Sequence, residues 1–216
     1  MSDLIHPDWP APVSVHAFTT TRNDVGNYQH LLPAEPHWLK QVHGNQVLAL
    51  DENHQSVTEA DASTSATPGQ VCAILTADCL PVLFCNKTGT KVAVAHAGWR
   101  GLAAGVLEAT VDAMDCNADD LLVWLGPAIG PTAFEVRDDV YDVFTQKHAE
   151  NTLAFKPHGD RWLADLYQLA RLALARIDVN QVRGGQYCTH TERDRFFSHR
   201  RDGATGRMAT VIWITA

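Results

Sequence analysis

The chain has 216 residues, of which 45% are hydrophobic and 19% are charged, as in a globular domain with one sizeable core. Its formal net charge of -8 works against a nucleic-acid polymer as partner, because such binding needs a clustered basic face. The amino end resembles no secretory leader, no apolar run is long enough to span a membrane, and the five cysteines include no Cys-x-x-Cys pair. We therefore expect a single domain over 1–216, monomeric and cytoplasmic, with no membrane partner and no disulfide framework.

The first half of the chain is predicted to be mainly β-structure. Short apolar runs bounded by turn residues indicate buried strands, and the turn-rich segment 63–70 is expected to be a surface loop. The runs at 71–75, 81–85 and 91–95 are expected to be adjacent in one sheet, and the polar connection 86–90 has hairpin length, so the last two are expected to be antiparallel. Strands are predicted at 13–19, 46–50, 71–75, 81–85 and 91–95.

The second half adds helices to the sheet. Apolar residues at helical spacing predict one helix from Trp99 to Met114, beginning directly after Gly98, and two more at about 136–148 and 162–177. Strands are predicted between and after them, at 121–125 and 208–214. The expected fold class is therefore α/β (α+β), a single-domain layered sandwich of a mixed β-sheet with packed helices.

Three polar segments lie at the ends of predicted strands, where side chains from distant positions can converge on one cleft: 40–44, 76–81 and 96–101. From them, His43, Cys79 and His96 form a candidate metal site. Two imidazoles and one thiolate suit zinc, and three protein ligands leave a fourth position for water or substrate, as in catalytic sites. Their spacing matches no local zinc motif, so an inert buried cysteine near hydrogen-bonded histidines is the alternative interpretation.

The segment 96–101 also suggests an anion site. Gly98 and Gly101 let the backbone turn tightly from strand into helix, and the first helical turn then offers free N–H groups. Arg100 adds a planar guanidinium for phosphate or carboxylate, with an ion pair to a local acid as the alternative. The segment lacks the Gly-x-x-x-x-Gly-Lys-Ser/Thr pattern of a P-loop.

Two later segments are expected to lie near this site. Residues 126–131, Gly-Pro-Ala-Ile-Gly-Pro, follow a predicted strand and indicate a rigid turn. Residues 188–202 are rich in aromatic and basic side chains and are candidates for one wall of a pocket. Arg200, Arg201 and Arg207 are equally well explained as solvated charges.

Taken together, these motifs resemble the YfiH family of laccase-domain proteins over nearly the whole chain, in the expected order. The resemblance rests on the segments 40–44, 76–82, 96–101, 126–131, 188–189 and 196–207. It implies that His43, Cys79 and His96 are the metal ligands, with zinc as the expected metal and copper (Cu²⁺) as the alternative. It also implies a purine nucleoside phosphorylase that cleaves adenosine, inosine and methylthioadenosine with phosphate, and that deaminates adenosine to inosine.

The chain departs from the family pattern near its amino end. An arginine-led, glycine-rich segment usually continues through a longer stretch, whereas here Arg22 is soon followed by Leu31-Leu32-Pro33. Arg22 is retained as a candidate for binding substrate or phosphate, but the short segment is expected to remove part of the wall that covers the substrate. Tyrosine is more usual than histidine at the position of His199.

Two reactions are therefore expected at one site. For deamination, a zinc-activated water would attack C6 of adenosine, with Asp78 either shuttling protons or supporting a ligand. For phosphorolysis, phosphate would be positioned against C1′ of the ribose by the loop from Gly98 to Gly101, with Arg100 as its main contact.

Three alternatives remain open. Cys79 could be a nucleophile activated by His43 or His96, which would make the protein a cysteine hydrolase, or an editing factor, acting on a peptidoglycan precursor. Older descriptions of the family favour a copper-dependent polyphenol oxidase, although multicopper oxidation needs several ligand groups that the sequence does not display. A non-enzymatic module that binds metal and ligand without turnover is the third.

Overall fold

The computed structural model describes residues 3–50 and 58–215, which form strands in three sheets together with short helices. The strands are β1 Val15–Thr19, β2 His37–Trp38, β3 Val47–Ala49, β4 Ala62–Ser65, β5 Cys72–Thr76, β6 Leu80–Asn86, β7 Val92–Ala97, β8 Leu121–Leu125, β9 Glu135–Val136, β10 Phe155–His158, β11 Arg161–Ala164, β12 Val182–Gly184 and β13 Met208–Ile214. The α-helices are α1 Trp99–Ala104, α2 Val106–Met114, α3 Asp138–Thr145, α4 Leu166–Ala175 and α5 His199–Asp202. Short 3-10 helices cover Gln29–Leu31, Ala118–Asp120 and Ala149–Ala154. No helix among these residues is both long and apolar enough to cross a bilayer.

The largest sheet has six strands in the order β12-β8-β6-β7-β4-β3 and mixes parallel with antiparallel pairs. A second sheet has the order β1-β13-β5-β2, and a small third sheet has the order β10-β11-β9. The six-stranded sheet forms the middle layer, since one face packs on helices and the other on the four-stranded sheet. These layers confirm the expected mixed α/β sandwich.

Burial on both faces explains the apolar runs of the central strands. Along β6, Val82 and Phe84 belong to the core shared with the helices, whereas Leu83 and Cys85 belong to the core shared with Ile74 of β5. Successive side chains of a strand point to opposite faces, so both sets must be apolar. Strands β6 and β7 pair antiparallel around the predicted hairpin, which confirms that expectation.

Two expectations about strands are wrong. The run 71–75 is a strand, but β5 lies in the four-stranded sheet and stacks against β6 and β7 instead of pairing with them. Apolar runs report burial and carry no information on which sheet a strand joins. The expected loop 63–70 begins inside β4, whose small residues are buried between β3 and β7.

The expected single helix from Trp99 to Met114 is also wrong. Gly105 adopts a left-handed conformation, with φ of 86°, and divides the stripe into α1 and α2. Glycine reaches this region without the steric cost that other residues meet, so the helical periodicity continues across a real break.

The other two helices are shorter than the sequence indicates. Helix α4 begins at Leu166 because the side chain of Asp165 caps it by accepting a hydrogen bond from the Gln168 amide. Trp162, which fits the helical spacing, lies in β11 instead. Helix α3 begins at Asp138, since Val136 pairs with β11 as part of β9.

Candidate metal centre and its cavity

Sheet pairing brings the three candidate ligands together. His96 lies near the end of β7 and is the register partner of Pro81, two residues beyond Cys79. His43 lies in the connection between β2 and β3. Ligand atoms of the three side chains all lie within 4.8 Å of one another, and His43 Nε2 is 3.9 Å from Cys79 Sγ.

A buried carboxylate holds two of these ligands in place. Asp61, fully buried, accepts hydrogen bonds from the backbone amides of Val42, His43 and Gly44 at 2.7–3.1 Å. These bonds offset the cost of the left-handed backbone of His43, whose φ is 61°. The same carboxylate contacts Nδ1 of His96 at 2.8 Å.

The contact with Asp61 determines which nitrogen of His96 faces the site. Because Nδ1–H donates to Asp61, Nε2 is left for a metal ion, the arrangement that orients histidine ligands in many metalloproteins. Burial raises the pKa of Asp61, but the bonds from His96 and the three amides outweigh it and leave the pKa below its ordinary value. Sequence reasoning missed Asp61, because a lone acid before a strand belongs to no motif.

The donor chemistry fits a soft divalent metal. In the metal-free protein, burial raises the pKa of the Cys79 thiol, but hydrogen bonds from His43 and His96 and their charges lower it to about 6. Burial lowers the pKa of His96, yet Asp61 and Cys79 together raise it to about 9. A thiolate and two imidazoles that converge in this way match a zinc ligand set. His96 is buried, Cys79 is partly buried and His43 is exposed, so one side of the ligand group is accessible.

The two glycines of the segment 96–101 are required by close packing. A Cβ on Gly98 would lie 2.8 Å from Cys79 Sγ and 3.3 Å from Cδ2 of His43. A Cβ on Gly101 would lie 3.1 Å from the carbonyl oxygen of Gly44. The backbone φ of Gly98 is -64°, which any residue adopts, so the reason for glycine there differs from the tight turn that we expected.

Asp78 precedes Cys79, and its carboxylate accepts hydrogen bonds from residues other than the candidate ligands. One carboxylate oxygen accepts a hydrogen bond from Thr189 Oγ1 at 2.6 Å. The other accepts from Ser198 Oγ at 3.0 Å and from the Arg200 backbone amide at 2.6 Å. These three bonds favour a supporting role over proton transfer.

A cavity of about 340 Å³ opens beside the metal-ligand group. Two ligands, an apolar wall and several polar residues line it: His43, Ala77, Asp78, Cys79, Trp99, Arg100, Ile129, Phe134, Leu166, His199 and Arg200. The lining thus includes Arg100 beside two of the candidate ligands, and Arg200 from the segment 188–202. A larger depression of about 520 Å³ near Cys116 contains none of the candidate site residues.

Some of the candidate residues lie outside the cavity lining. Arg22 packs over the ring of Phe197, and its side chain donates to the carbonyl of Arg193, so it contacts the segment that carries the wall. Arg201 donates to the carbonyls of Thr189, His190 and Phe196, which is a structural role. Arg207 donates to the carbonyls of Thr205 and Gly206.

The chain is similar to members of one family along its whole length. Residues 15–215 match the family described as multi-copper polyphenol oxidoreductase laccase. The chain is 50% identical to "Purine nucleoside phosphorylase YfiH" of Escherichia coli (strain K12), covering 99% of this chain and 100% of that protein. It is 48% identical to "Purine nucleoside phosphorylase PA4543" of Pseudomonas aeruginosa, covering 99% of each. A solved Neisseria meningitidis protein, NMB0706, has a TM-score of 0.93 and 43% identity, and covers 99% of this chain and 100% of that one.

The alignment with the Escherichia coli protein is longer than this chain. It extends over 242 positions, which exceeds the 216 residues of this chain, so it includes positions at which this chain has no residue. This chain is therefore shorter than the Escherichia coli relative within the aligned region.

Proposed function

The chain belongs to the YfiH family of laccase-domain proteins, and from this membership we propose that it is a purine nucleoside phosphorylase with one zinc ion held by His43, Cys79 and His96. The observation that carries the proposal is the position of this ligand group beside a cavity that also has basic and apolar walls. Two relatives about half identical to this chain carry the name purine nucleoside phosphorylase, which supports the assignment.

The cavity has the size and chemistry for a nucleoside. Its volume of about 340 Å³ lies in the range of small-molecule sites. Ile129, Phe134 and Leu166 offer apolar surface for the flat purine, and Trp99 extends that surface next to Arg100. The apolar wall therefore binds and orients the base while the basic residues face the anion.

In the proposed reaction, a phosphate oxygen forms a bond to C1′ of the ribose as the bond from C1′ to the purine nitrogen breaks. The purine leaves with the electron pair and gains one proton, giving the free base and ribose 1-phosphate. Arg100 contributes by binding and orienting phosphate, at the segment from Gly98 to Gly101 that packs against the ligands. Arg22, which contacts the wall-bearing segment, supports substrate binding indirectly.

The metal adds a second capability. When bound, zinc supplies Lewis acidity at the accessible side of the ligand group. We propose deamination of adenosine to inosine as a further activity there, and methylthioadenosine as a further phosphorolysis substrate. Asp61 orients His96 and the backbone of His43 for both reactions, and Asp78 supports the wall.

The test is chromatography of adenosine incubated with zinc-loaded protein, with and without phosphate. We expect adenine only when phosphate is present. Deamination should give inosine without phosphate, and inosine or its phosphorolysis product hypoxanthine with phosphate. A His43→Ala variant should lose these products, whereas the matched variant His30→Ala, at an exposed histidine outside the cavity lining, should keep them. Wild-type protein that forms no adenine at high protein concentration would refute the phosphorylase.

One observation supports a second candidate, a cysteine hydrolase. Cys79 Sγ lies 3.9 Å from His43 Nε2. Burial raises the pKa of this thiol, but the two histidines outweigh that effect and lower the pKa to about 6. The metal-free protein therefore holds a thiolate at Cys79. If metal-free protein is active on a peptidoglycan precursor, and alkylation of Cys79 abolishes that activity, the hydrolase replaces the phosphorylase. Activity that needs stoichiometric zinc excludes it.

Two other candidates have less support. Laccase chemistry uses several copper ions with separate ligand groups, and the part of the chain that the structure describes contains one group of suitable side chains. A metal-dependent binding module without turnover would bind nucleoside and zinc but would leave adenosine intact in the same chromatographic test.

A further inference from the structure

We infer that Arg200, acting with Arg100, binds the phosphate co-substrate, and that Asp78 is the positioning residue that holds Arg200 at the cavity. This inference rests on the proposed phosphorylase function and adds the second half of its anion site. The sequence alone explains Arg200 equally well as a solvated charge, so the assignment depends on where the structure places it.

Both guanidinium groups are oriented by aromatic rings that line the same cavity. Arg100 lies over the ring of Trp99, 4.5 Å from its centroid, and Arg200 lies over the ring of Phe134 at 5.3 Å. Arg200 also donates from one terminal nitrogen to the carbonyl of Glu135 at 2.8 Å. These contacts restrict the side chains before any ligand arrives, which lowers the entropic cost of binding.

The two arginines have donor capacity left for an anion. Neither forms an ion pair with a carboxylate of residues 3–50 or 58–215, in contrast to Arg176, Arg195 and Arg201. A guanidinium has five N–H donors in a planar fork that matches two oxygens of phosphate. In a chain with a net charge of -8, two such groups beside a cation-binding site give a local positive field for a small anion.

Asp78 links this basic wall to the metal ligands. Its carboxylate accepts the backbone amide of Arg200 and the hydroxyl of Ser198, the residue that also caps α5. Asp78 is adjacent to Cys79 and has a left-handed backbone, with φ of 87°, so its orientation is fixed together with that of the ligand. A phosphate held by the arginines therefore lies at a fixed place relative to the ligand group and the apolar wall.

The decisive experiment measures binding of inorganic phosphate to the zinc-loaded protein by isothermal titration calorimetry. We expect Arg200→Ala to weaken binding at least about tenfold, since it removes charge-assisted hydrogen bonds, and Arg200→Lys to recover only part of the loss. Arg100→Ala should weaken binding similarly. The matched variant Arg183→Ala, at an exposed arginine outside this cavity, should bind phosphate as the wild type does, and all variants should retain stoichiometric zinc.

Kinetics separate this inference from the proposed function. In a working phosphorylase, Arg200→Ala should raise the KM for phosphate at least about tenfold and change the KM for adenosine much less. An unchanged phosphate affinity and KM in that variant overturns the inference and leaves the phosphorylase intact. A wild type that binds phosphate through Arg200 but forms no adenine refutes the phosphorylase and upholds the anion site, whereas a wild type that binds no phosphate overturns the inference.

Discussion

Two buried carboxylates near the metal-ligand group differ in what they hold. Asp61 binds the backbone at 42–44 and the ring of His96, so it organises the metal ligands. Asp78 binds Thr189, Ser198 and the amide of Arg200, so it organises the wall that faces the substrate. Within residues 3–50 and 58–215, the two acids share no hydrogen-bond partner, so metal binding and anion binding should be separable by mutation.

The two sides also differ in burial. On the ligand side, His96 is 3% exposed, whereas His199 and Arg200 on the wall are exposed. Packing encloses His96, although His43 is exposed, whereas the wall depends on a few hydrogen bonds at the start of a four-residue helix. Substitutions in the wall should therefore affect the metal centre only slightly. Substitutions of Asp78, which anchors the wall, should affect the wall more strongly.

Thiol reactivity should give the largest contrast. Burial raises the pKa of Cys79, but the two histidines outweigh that effect and lower the pKa to about 6. In metal-free protein near pH 7.5, Cys79 should therefore be ionised. Burial raises the pKa of Cys72 and of Cys85 to about 12, so both stay protonated. We expect iodoacetamide to label Cys79 more than about 1,000-fold faster than either, measured by peptide mass spectrometry.

Zinc should protect Cys79 from this labelling, since a coordinated thiolate is a poor nucleophile. A Cys79→Ser variant provides the control, because it should lose the fast phase and leave the slow labelling of the other cysteines unchanged. Equal labelling with and without zinc would mean that the thiol does not bind the metal.

Removing the charge of Asp61 should damage the ligand side. Asp61→Asn keeps the shape of the side chain but replaces one carboxylate oxygen with an amide nitrogen, which faces the hydrogen-bond donors around it. Such changes next to metal ligands typically weaken metal binding about 10- to 100-fold. The zinc dissociation constant, measured by competition with a chromophoric chelator, tests this. The exposed acid Asp119 offers a matched control, since Asp119→Asn removes the same charge and should leave zinc affinity at the wild-type value.

The corresponding change at Asp78 should affect the wall. Asp78→Asn weakens the bonds to Ser198 and Arg200, so we expect phosphate affinity to fall about tenfold while zinc affinity stays within about threefold of wild type. Calorimetry with phosphate and chelator competition with zinc measure the two effects on one preparation. A loss of zinc as large as in Asp61→Asn would show that the two sides are not independent.

The fold could be predicted from the sequence where burial was complete. Strands β6 and β7 were found because both faces are apolar, whereas β10 was missed because most of its residues are exposed and carry no clear alternation. The apolar stripe continues through Gly105, so the spacing of apolar residues predicted one helix. A backbone break that leaves the stripe on the same side does not change that spacing. Assignment of β5 to its sheet depended on layering, which short-range patterns do not encode.

The site divides in a similar way. His43, Cys79 and His96 were identified because their segments match a family pattern, and the structure brings them together. The contacts of Asp61, and the presence of Arg100 and Arg200 in one cavity lining, join residues far apart in the chain, for which the sequence has no local signal. Gly98 is an intermediate case. The sequence shows the glycine, but the close packing that requires it is visible only in the structure.

Gly98 provides the last and smallest test, within the ligand side itself. In Gly98→Ala, the new methyl group would lie 2.8 Å from Cys79 Sγ, so the cysteine or the backbone must shift, which should cost about 1–2 kcal/mol of unfolding free energy. Gly44→Ala is the matched control beside the same centre, because its methyl group would meet nothing closer than 3.6 Å. Urea unfolding of both variants in the presence of a chelator measures packing without the metal. Equal stability of the two variants would show that the close approach at Gly98 is not what requires glycine, and would return the explanation to the turn between β7 and α1.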